Sequence, residues 1–326
     1  MTEDRSKKAS LGSPHVSPHV VATCTRCTAS TTAPRLTTTL IASTVTRREE
    51  PTLPELPEVE AWRRQLDPLV AASPVEHAGP AHVATLKTID PPLKALEGET
   101  LHVERRAKRF LLPASDGELV LMVHLMSAGR LRHIAPGAKG AKTPMFRLRF
   151  ADGGELQLTE AGSKKRAGVW LLRPDELAEE LAHLGPEADT LDAQSLGRIL
   201  ASDSRRLHSL LRDQRLIAGI GRAWANEILW TAQLSPYQLS TQVDDEETGR
   251  LAEAIRGELA RGLELRLAGA NDAKTYRVHN ALGQPCHRCG TPIARVDFEE
   301  HTIYYCPTCQ TGGRVLKDRR LSRLLR

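Results

Sequence analysis

The sequence predicts an α+β protein in three ordered parts: an N-terminal antiparallel β-sandwich with a flanking helix, a helical domain, and a small C-terminal cysteine-rich ribbon. Three observations carry that prediction. Short strand-like runs separated by Asp-Gly turn signals fill the first half of the ordered chain. From Pro174 onward the apolar residues recur at helical spacing. Near the C-terminus two Cys-x-x-Cys pairs stand sixteen residues apart.

The elements follow in order. Val59, Trp62, Leu66 and Val70 recur at i, i+3, i+7 and i+11, which gives an amphipathic helix over about 58–71. Phe110–Pro113 and Glu118–Leu125 flank Ser-Asp-Gly, and Met145–Phe150 and Glu155–Thr159 flank Asp-Gly-Gly; both pairs read as hairpins of the sandwich. Helices are expected over Pro174–Leu184, Asp192–Ala201, Ser204–Leu211, about Arg222–Ala232, and Asp244 to about Ala268. Ile293–Phe298 and Thr302–Tyr305 form a hairpin between the two cysteine pairs. The domain boundaries that result are 53–173 for the sandwich, 174–275 for the helical domain, 276–310 for the ribbon and 311–326 for a basic tail.

Residues 1–52 differ from the rest. They are rich in Ser, Thr, Pro and Val, repeat Ser-Pro-His-Val twice and show no sustained periodicity, so they are expected to be a disordered extension, either translated leader or targeting segment. Cys24 and Cys27 form a lone pair there, and such a pair is usually inert.

The 326 residues carry a net charge of +5, which permits a polyanionic partner without requiring one. No apolar run approaches the ~18 residues a membrane span needs. All six cysteines fall in Cys-x-x-Cys pairs, which suits a reducing compartment better than a secreted disulfide scaffold. The preference for Arg and Ala over Lys is that of high-GC bacterial genomes.

Cys286, Cys289, Cys306 and Cys309 are candidate ligands of one structural zinc ion. Each pair puts two thiolates on one tight turn, and two facing turns close a tetrahedral sulfur site with no open position for water. Redox pairing or plain burial are the other uses of such cysteines. Zinc ribbons serve many ends, so the module does not name a function.

Four motifs in order narrow the field: Pro54-Glu-Leu-Pro-Glu-Val-Glu60, Leu184-Gly-Pro-Glu187, Asp213-Gln-Arg-Leu-Ile-Ala-Gly-Ile-Gly221, and the cysteine module ending in Cys306-Pro-Thr-Cys-Gln310. Together they resemble the formamidopyrimidine-DNA glycosylase/endonuclease VIII family. The resemblance implies a helix–two-turns–helix DNA-binding domain, damaged DNA as partner, a monomer, and a cytoplasmic, nucleoid-associated bacterial protein. It also implies base excision followed by cleavage at the abasic site through an N-terminal proline that forms a Schiff base with the sugar. A secondary amine suits that step because its iminium is permanently cationic and acts as an electron sink. The proline matches Pro54, the adjacent acid Glu55, the carboxylate near the amine Glu58, and the DNA-reaching lysine Lys108. The Gly219-Ile-Gly221 turn is expected to bring the amides of the next helix to a phosphate. Arg105-Arg-Ala-Lys-Arg109 reads either as a DNA contact or as a solvated basic patch on a hairpin.

The chain departs from the family pattern in several places. His124-Leu-Met-Ser-Ala-Gly129 puts Met126, the candidate void-filling methionine, one position early, which on a strand turns its side chain to the other face unless a bulge restores it. Arg166-Ala167-Gly168 keeps the arginine of the void-filling set and lacks its Phe wedge. Arg222 replaces the phosphate-binding Asn, His301 the finger arginine, and His208 a lysine before the Asp-Gln pair. Two functions therefore stand: a bifunctional glycosylase and lyase, or a damage- or structure-specific DNA-binding protein with little base excision. Retention of Pro54, Glu55 and Glu58 favours the enzyme.

Initiation at Met1 leaves the Pro54 nitrogen a tertiary amide with no lone pair to attack. Leu53 stands just before it, and leucine codons such as TTG and CTG serve as bacterial starts. Arg48-Glu49-Glu50 back-translates to a purine-rich run resembling a ribosome-binding site. A start at Leu53 with methionine removal, or cleavage between Leu53 and Pro54, is the expected route to a free amine.

Overall fold

The computed structural model describes residues 54–161, 165–270, 272–298 and 302–317; the expectations for 1–52, Leu53 and His301 fall outside them. The elements run α1 (Leu56–Val70), β1 (Val75–Ala81), β2 (Glu104–Arg106), β3 (Arg109–Pro113), β4 (Val120–His124), β5 (Gly129–Ile134), β6 (Phe146–Phe150), β7 (Glu155–Glu160) and β8 (Gly168–Leu172). Helices follow: α2 (Pro174–Leu181), α3 (Ala193–Ser202), α4 (Leu207–Arg212), α5 (Arg222–Thr231), α6 (Asp245–Leu267) and the short α7 (Asp272–Thr275). The ribbon closes the series with β9 (Ala294–Asp297), β10 (Thr302–Tyr305) and α8 (Pro307–Thr311).

Two four-stranded antiparallel sheets, in orders β1-β6-β7-β5 and β2-β3-β4-β8, form the sandwich. The expected hairpins are its β3–β4 and β6–β7 pairs, and the third is β9–β10. Strands β1, β2, β5 and β8 are additions to the sequence reading. Phe110, Leu121, Phe146, Leu148 and Phe150 fill the space between the sheets, and Val59, Leu66 and Val70 of α1 pack into the same core. Full burial of each such side chain contributes about 2 kcal/mol.

Helix α1 belongs to both halves of the protein. Leu56, at its first turn, packs with Ile217, Ile220, Trp224 and Ile255 in the helical core. Pro57 suits that turn because its missing N–H has no partner to lose. Local chemistry also fixes the other helix starts. Asp192 accepts the Ser195 N–H at 2.6 Å, and Asp244 and Glu247 exchange bonds at 2.8 and 3.3 Å as a capping box.

The basic run of β2–β3 turns out to be a clasp. Arg105 and Arg106 both bind the Glu187 carboxylate, and Arg105 also meets Asp189 at 2.8 Å and Glu60 at 3.3 Å. Glu187 further accepts the Ala107 N–H at 2.7 Å, and Arg106 donates to the Gly185 carbonyl at 2.7 Å. Leu184-Gly-Pro-Glu187 is thus the piece that locks the sandwich to the helical domain. The reading of this run as a solvated patch fails for Arg105 and Arg106, since both side chains are largely enclosed by carboxylates.

Candidate active site and nucleic-acid cleft

The first residues of α1 and the first turn of α5 meet. The Glu55 carboxylate accepts the N–H groups of Gly221 at 2.8 Å, Ala223 at 2.9 Å and Trp224 at 3.2 Å. It serves as the cap of a helix more than 160 residues away in the chain, where the helix dipole favours an anion. This explains the two glycines. A Cβ on Gly221 would lie 2.2 Å from the Glu55 carboxyl carbon, and one on Gly219 (φ +105°) would lie 2.5 Å from Leu56. Leu56 also donates its N–H to the Gly219 carbonyl at 3.1 Å. The amides expected to approach a phosphate are therefore committed inside the protein: Gly221 to Glu55, and Gly219 to the Gln214 side chain at 3.0 Å. What the turn turns toward solvent is the Arg222 side chain.

Glu58 lies behind Glu55 and is 1% exposed. It accepts from Trp224 Nε1 (3.2 Å), Arg266 Nε (3.0 Å), Tyr276 Oη (3.3 Å) and the Glu55 N–H (3.3 Å). Burial pushes its pKa up to about 7, with the Glu55 charge adding to the rise and Arg266 opposing it. Mid-helix Gly262 makes room for this arrangement, since a Cβ there would lie 2.2 Å from the Trp224 ring.

In front of Glu55 opens a cleft of about 570 Å³, lined by Pro54, Lys108, Arg109, His124, Met126, Arg166, Arg212 and Arg222 among others. Five of its lining side chains are cations and Glu55 is the one carboxylate among them. Lys108 follows left-handed Ala107 (φ 53°) in the β2–β3 turn, so the clasp on Ala107 aims it. Burial lowers the Lys108 pKa, with Glu55 pulling the other way. Burial, Arg109 and Lys108 together push His124 down to about 3, which keeps it neutral.

Met126 is not on a strand. It sits in the turn between β4 and β5 at φ 55°, 41% exposed, so the alternation rule that turned it away does not apply and it faces the cleft. Arg166 is exposed at the opposite lining, and its N–H and that of Ala167 bind the Glu160 carboxylate at 2.8 and 3.0 Å. Ala167 itself is fully buried. His208 is fully buried too, within α4, and presents nothing to solvent.

The four cysteine sulfurs lie within 4.8 Å of one another, with 3.5 Å between Cys289 and Cys306 and 3.9 Å between Cys286 and Cys309. Zn–S bonds of ~2.3 Å in a tetrahedron put sulfurs about 3.8 Å apart, so the donor set fits one structural zinc. Trp230 of α5 donates to the Cys286 sulfur at 3.3 Å, between the guanidinium groups of Arg277 and Arg288, and so seats the finger on the helical domain.

A family model for the formamidopyrimidine-DNA glycosylase N-terminal domain matches residues 53–166, one for its H2TH domain 184–273, and one for the zinc finger found in FPG and IleRS 283–312. The formamidopyrimidine-DNA glycosylase of Sodalis glossinidius (strain morsitans) is 32% identical over 273 residues, covering 79% of this chain and all of that protein. The chain belongs to the formamidopyrimidine-DNA glycosylase family. The enzyme of that name from Salmonella paratyphi B is 30% identical over 276 residues, with the same coverage. Among solved structures, the Lactococcus lactis Fpg non-covalently bound to DNA containing an AP site superposes with a TM-score of 0.72 at 25% identity, over 79% of this chain and 99% of that one. The protein is thus a DNA-repair glycosylase by family, with the family's sandwich, H2TH domain and four-cysteine zinc finger. No helix among the described residues is long and apolar enough to cross a membrane.

Of the residues singled out from the sequence, the structure brings Pro54, Glu55, Lys108, Met126, Arg166, Gly221 and Arg222 to one cleft; Glu58 stands just behind it and Gly219 beneath. Sequence reading assigned no role to His124, Arg212 and Gln214 in the lining, or to Trp224, Arg266 and Tyr276 around Glu58. A mid-helix glycine opposite a tryptophan was the signal for the last group, and only the fold shows that they meet.

Proposed function

We propose that the protein excises oxidised bases from DNA and cleaves the strand at the abasic site, with the secondary amine of Pro54 as nucleophile. The observation that carries this reading is the meeting of Pro54, Glu55 and Lys108 in one cation-lined cleft. The Pro54 nitrogen attacks C1′ of the flipped nucleotide as the base departs with a proton. Ring opening then leaves a cationic iminium, and loss of the C2′ proton expels the 3′ phosphate. Glu55, oriented by the α5 amides, takes up the proton that the attacking Pro54 amine sheds and delivers it to the base or ring oxygen. Lys108, Arg166 and Arg222 hold the flanking phosphates, and Met126 fills the space left by the flipped base. His301 belongs to the same interface by its place in the family pattern.

The iminium requires a free Pro54 amine. Borohydride trapping on abasic-site and oxidised-base duplexes, with protein beginning at Pro54, is expected to give a covalent adduct and strand cleavage. Pro54→Gly is expected to lose both, and the chain initiated at Met1 to give none. Burial of Ala167 where the family carries its wedge favours the second reading, a damage-specific binder. Tight binding without an adduct from the Pro54-initiated protein would establish that reading instead.

A further inference from the structure

Tyr276 does two things. Its hydroxyl donates to Glu58 at 3.3 Å, and its ring meets Trp224 edge-on at 5.3 Å and His279 at 5.2 Å. His279 in turn meets Tyr304 of β10 edge-on at 5.4 Å. An unbroken aromatic ladder therefore runs from the zinc finger hairpin to the carboxylate behind Pro54 and Glu55.

The outer end of the ladder is pinned. Asn226 of α5 accepts the Tyr304 N–H at Oδ1 (3.3 Å) and lies 2.9 Å from His279 Nδ1 through Nδ2. Because Oδ1 is taken by a donor, Nδ2 must be the donor to His279, which fixes the neutral ring with its proton on Nε2. Glu227, fully buried, accepts the N–H groups of Arg277 (2.8 Å), Val278 (2.9 Å) and His279 (2.9 Å) and ties the connecting backbone to the same helix. Edge-to-face rings resist being slid or tilted independently, so a movement of β10 on α5 is passed to Tyr276.

We propose that Tyr276 is a positioning residue through which the seating of the zinc finger on α5 sets the orientation and hydrogen bonding of Glu58. The proposal rests on the reading of Glu58 as part of the catalytic cleft. DNA gripped by the finger would then adjust a carboxylate that has no contact with the finger itself. The other charged or titratable groups facing Glu58 are Glu55 on its own helix, Arg266 from α6 and Lys108 from the β2–β3 turn, together with the Pro54 amine where that is free.

Trp224 reports on Glu58 directly, since its indole N–H donates to both carboxylate oxygens at 3.2 and 3.3 Å. In the zinc-loaded full chain, labelled with 15N-tryptophan, the protein's four tryptophans give four indole cross-peaks, and Trp224→Phe identifies the relevant one. Its pH titration is expected to have a midpoint about 7. Tyr276→Phe keeps the ring and removes a donor to the ionised form, so the midpoint is expected to rise by about one unit. Asn226→Ala and His279→Leu leave the hydroxyl in place and loosen the ladder. Both are expected to shift the same midpoint, with zinc content unchanged.

An unchanged midpoint in Tyr276→Phe overturns the proposal, and so does an unmoved Trp224 peak in both zinc-replete ladder variants. If the shifts occur in a protein that forms no borohydride adduct, the coupling stands and only the catalytic reading falls.

Discussion

The clasp and the cleft use the same residue type to opposite ends. In the clasp, Arg105 and Arg106 are enclosed by Glu187, Asp189 and Glu60, so their charge is spent on joining two domains. Two residues further along the chain, Lys108 and Arg109 enter a cleft where Arg166, Arg212 and Arg222 converge with a single carboxylate among the lining residues. Burial lowers the pKa of both Lys108 and Arg109, whereas the carboxylates around Arg105 raise its pKa despite burial. The difference teaches that local charge balance, not the count of basic residues in a run, separates cations that build the protein from cations offered to a ligand.

Substitutions can break that comparison, and the largest expected effect lies outside both regions. Removing zinc with a strong chelator is expected to unfold the finger, residues 283–312, outright, because structural zinc sites carry on the order of 10 kcal/mol of folding free energy. Near-ultraviolet circular dichroism should lose the finger's aromatic signal while the sandwich remains folded, leaving clasp and cleft chemistry to be measured without it.

Next comes the clasp. Glu187→Gln removes the charge that Arg105 and Arg106 share, leaving Arg105 only the Asp189 and Glu60 carboxylates, and is expected to cost roughly 3 kcal/mol in urea unfolding. Its effect on the salt dependence of DNA binding should be small, since neither arginine lines the cleft and the glutamine carbonyl can still accept the Ala107 N–H that aims Lys108. Equal losses in stability and in salt dependence would sink the division drawn here.

Glu58 gives a comparable but pH-dependent effect. Its folded pKa, about 7, is above the ordinary glutamate value of 4.5, so the folded state holds a proton that the unfolded chain releases. Its favourable contribution is complete below about 4.5 and is lost as pH rises through 7. The fall in stability across that window is expected to be on the order of 2–3 kcal/mol, and Glu58→Gln should flatten it in pH-resolved denaturant unfolding. A slope that survives the substitution would show that another group is responsible.

The smallest effect belongs to the cleft. Arg222→Ala or Arg166→Ala should leave unfolding within about 0.5 kcal/mol of the parent. Each should reduce the slope of log binding constant against log salt by about one. Together with Glu187→Gln these form a double dissociation of stability from DNA affinity.

Much of the fold was legible in the sequence because local chemistry wrote it. Asp-Gly turns marked β3–β4 and β6–β7, helical spacing marked α3 and α6, and cysteine spacing marked the finger. Strand β1 escaped because Gly79 and Pro80 interrupt its pattern and its pairing to β6 is irregular. Strand β8 is a five-residue run of largely buried side chains, and without alternation it carries no strand period. At the site, the motif carried Pro54, Glu55 and Glu58, but not what holds them. The Glu55 cap joins residues 166 to 169 apart in the chain, and the Glu58–Arg266 bond spans 208, distances over which no sequence period operates. Met126 shows the opposite error: the one-residue displacement was real, but the strand it was measured against ended at His124.

The Glu55 cap on α5 has a consequence for modularity. Pro54 and Glu55 are carried by the sandwich segment, yet the surface that orients Glu55 lies on the helical domain. The active site is therefore a seam rather than a possession of either part. A sandwich expressed alone would keep Pro54, Glu55, Glu58 and Lys108 in its sequence and lose their arrangement. Recombination between distant relatives would have to exchange α1 and the Gly219–Trp224 segment as one unit, because each is shaped to the other at van der Waals contact.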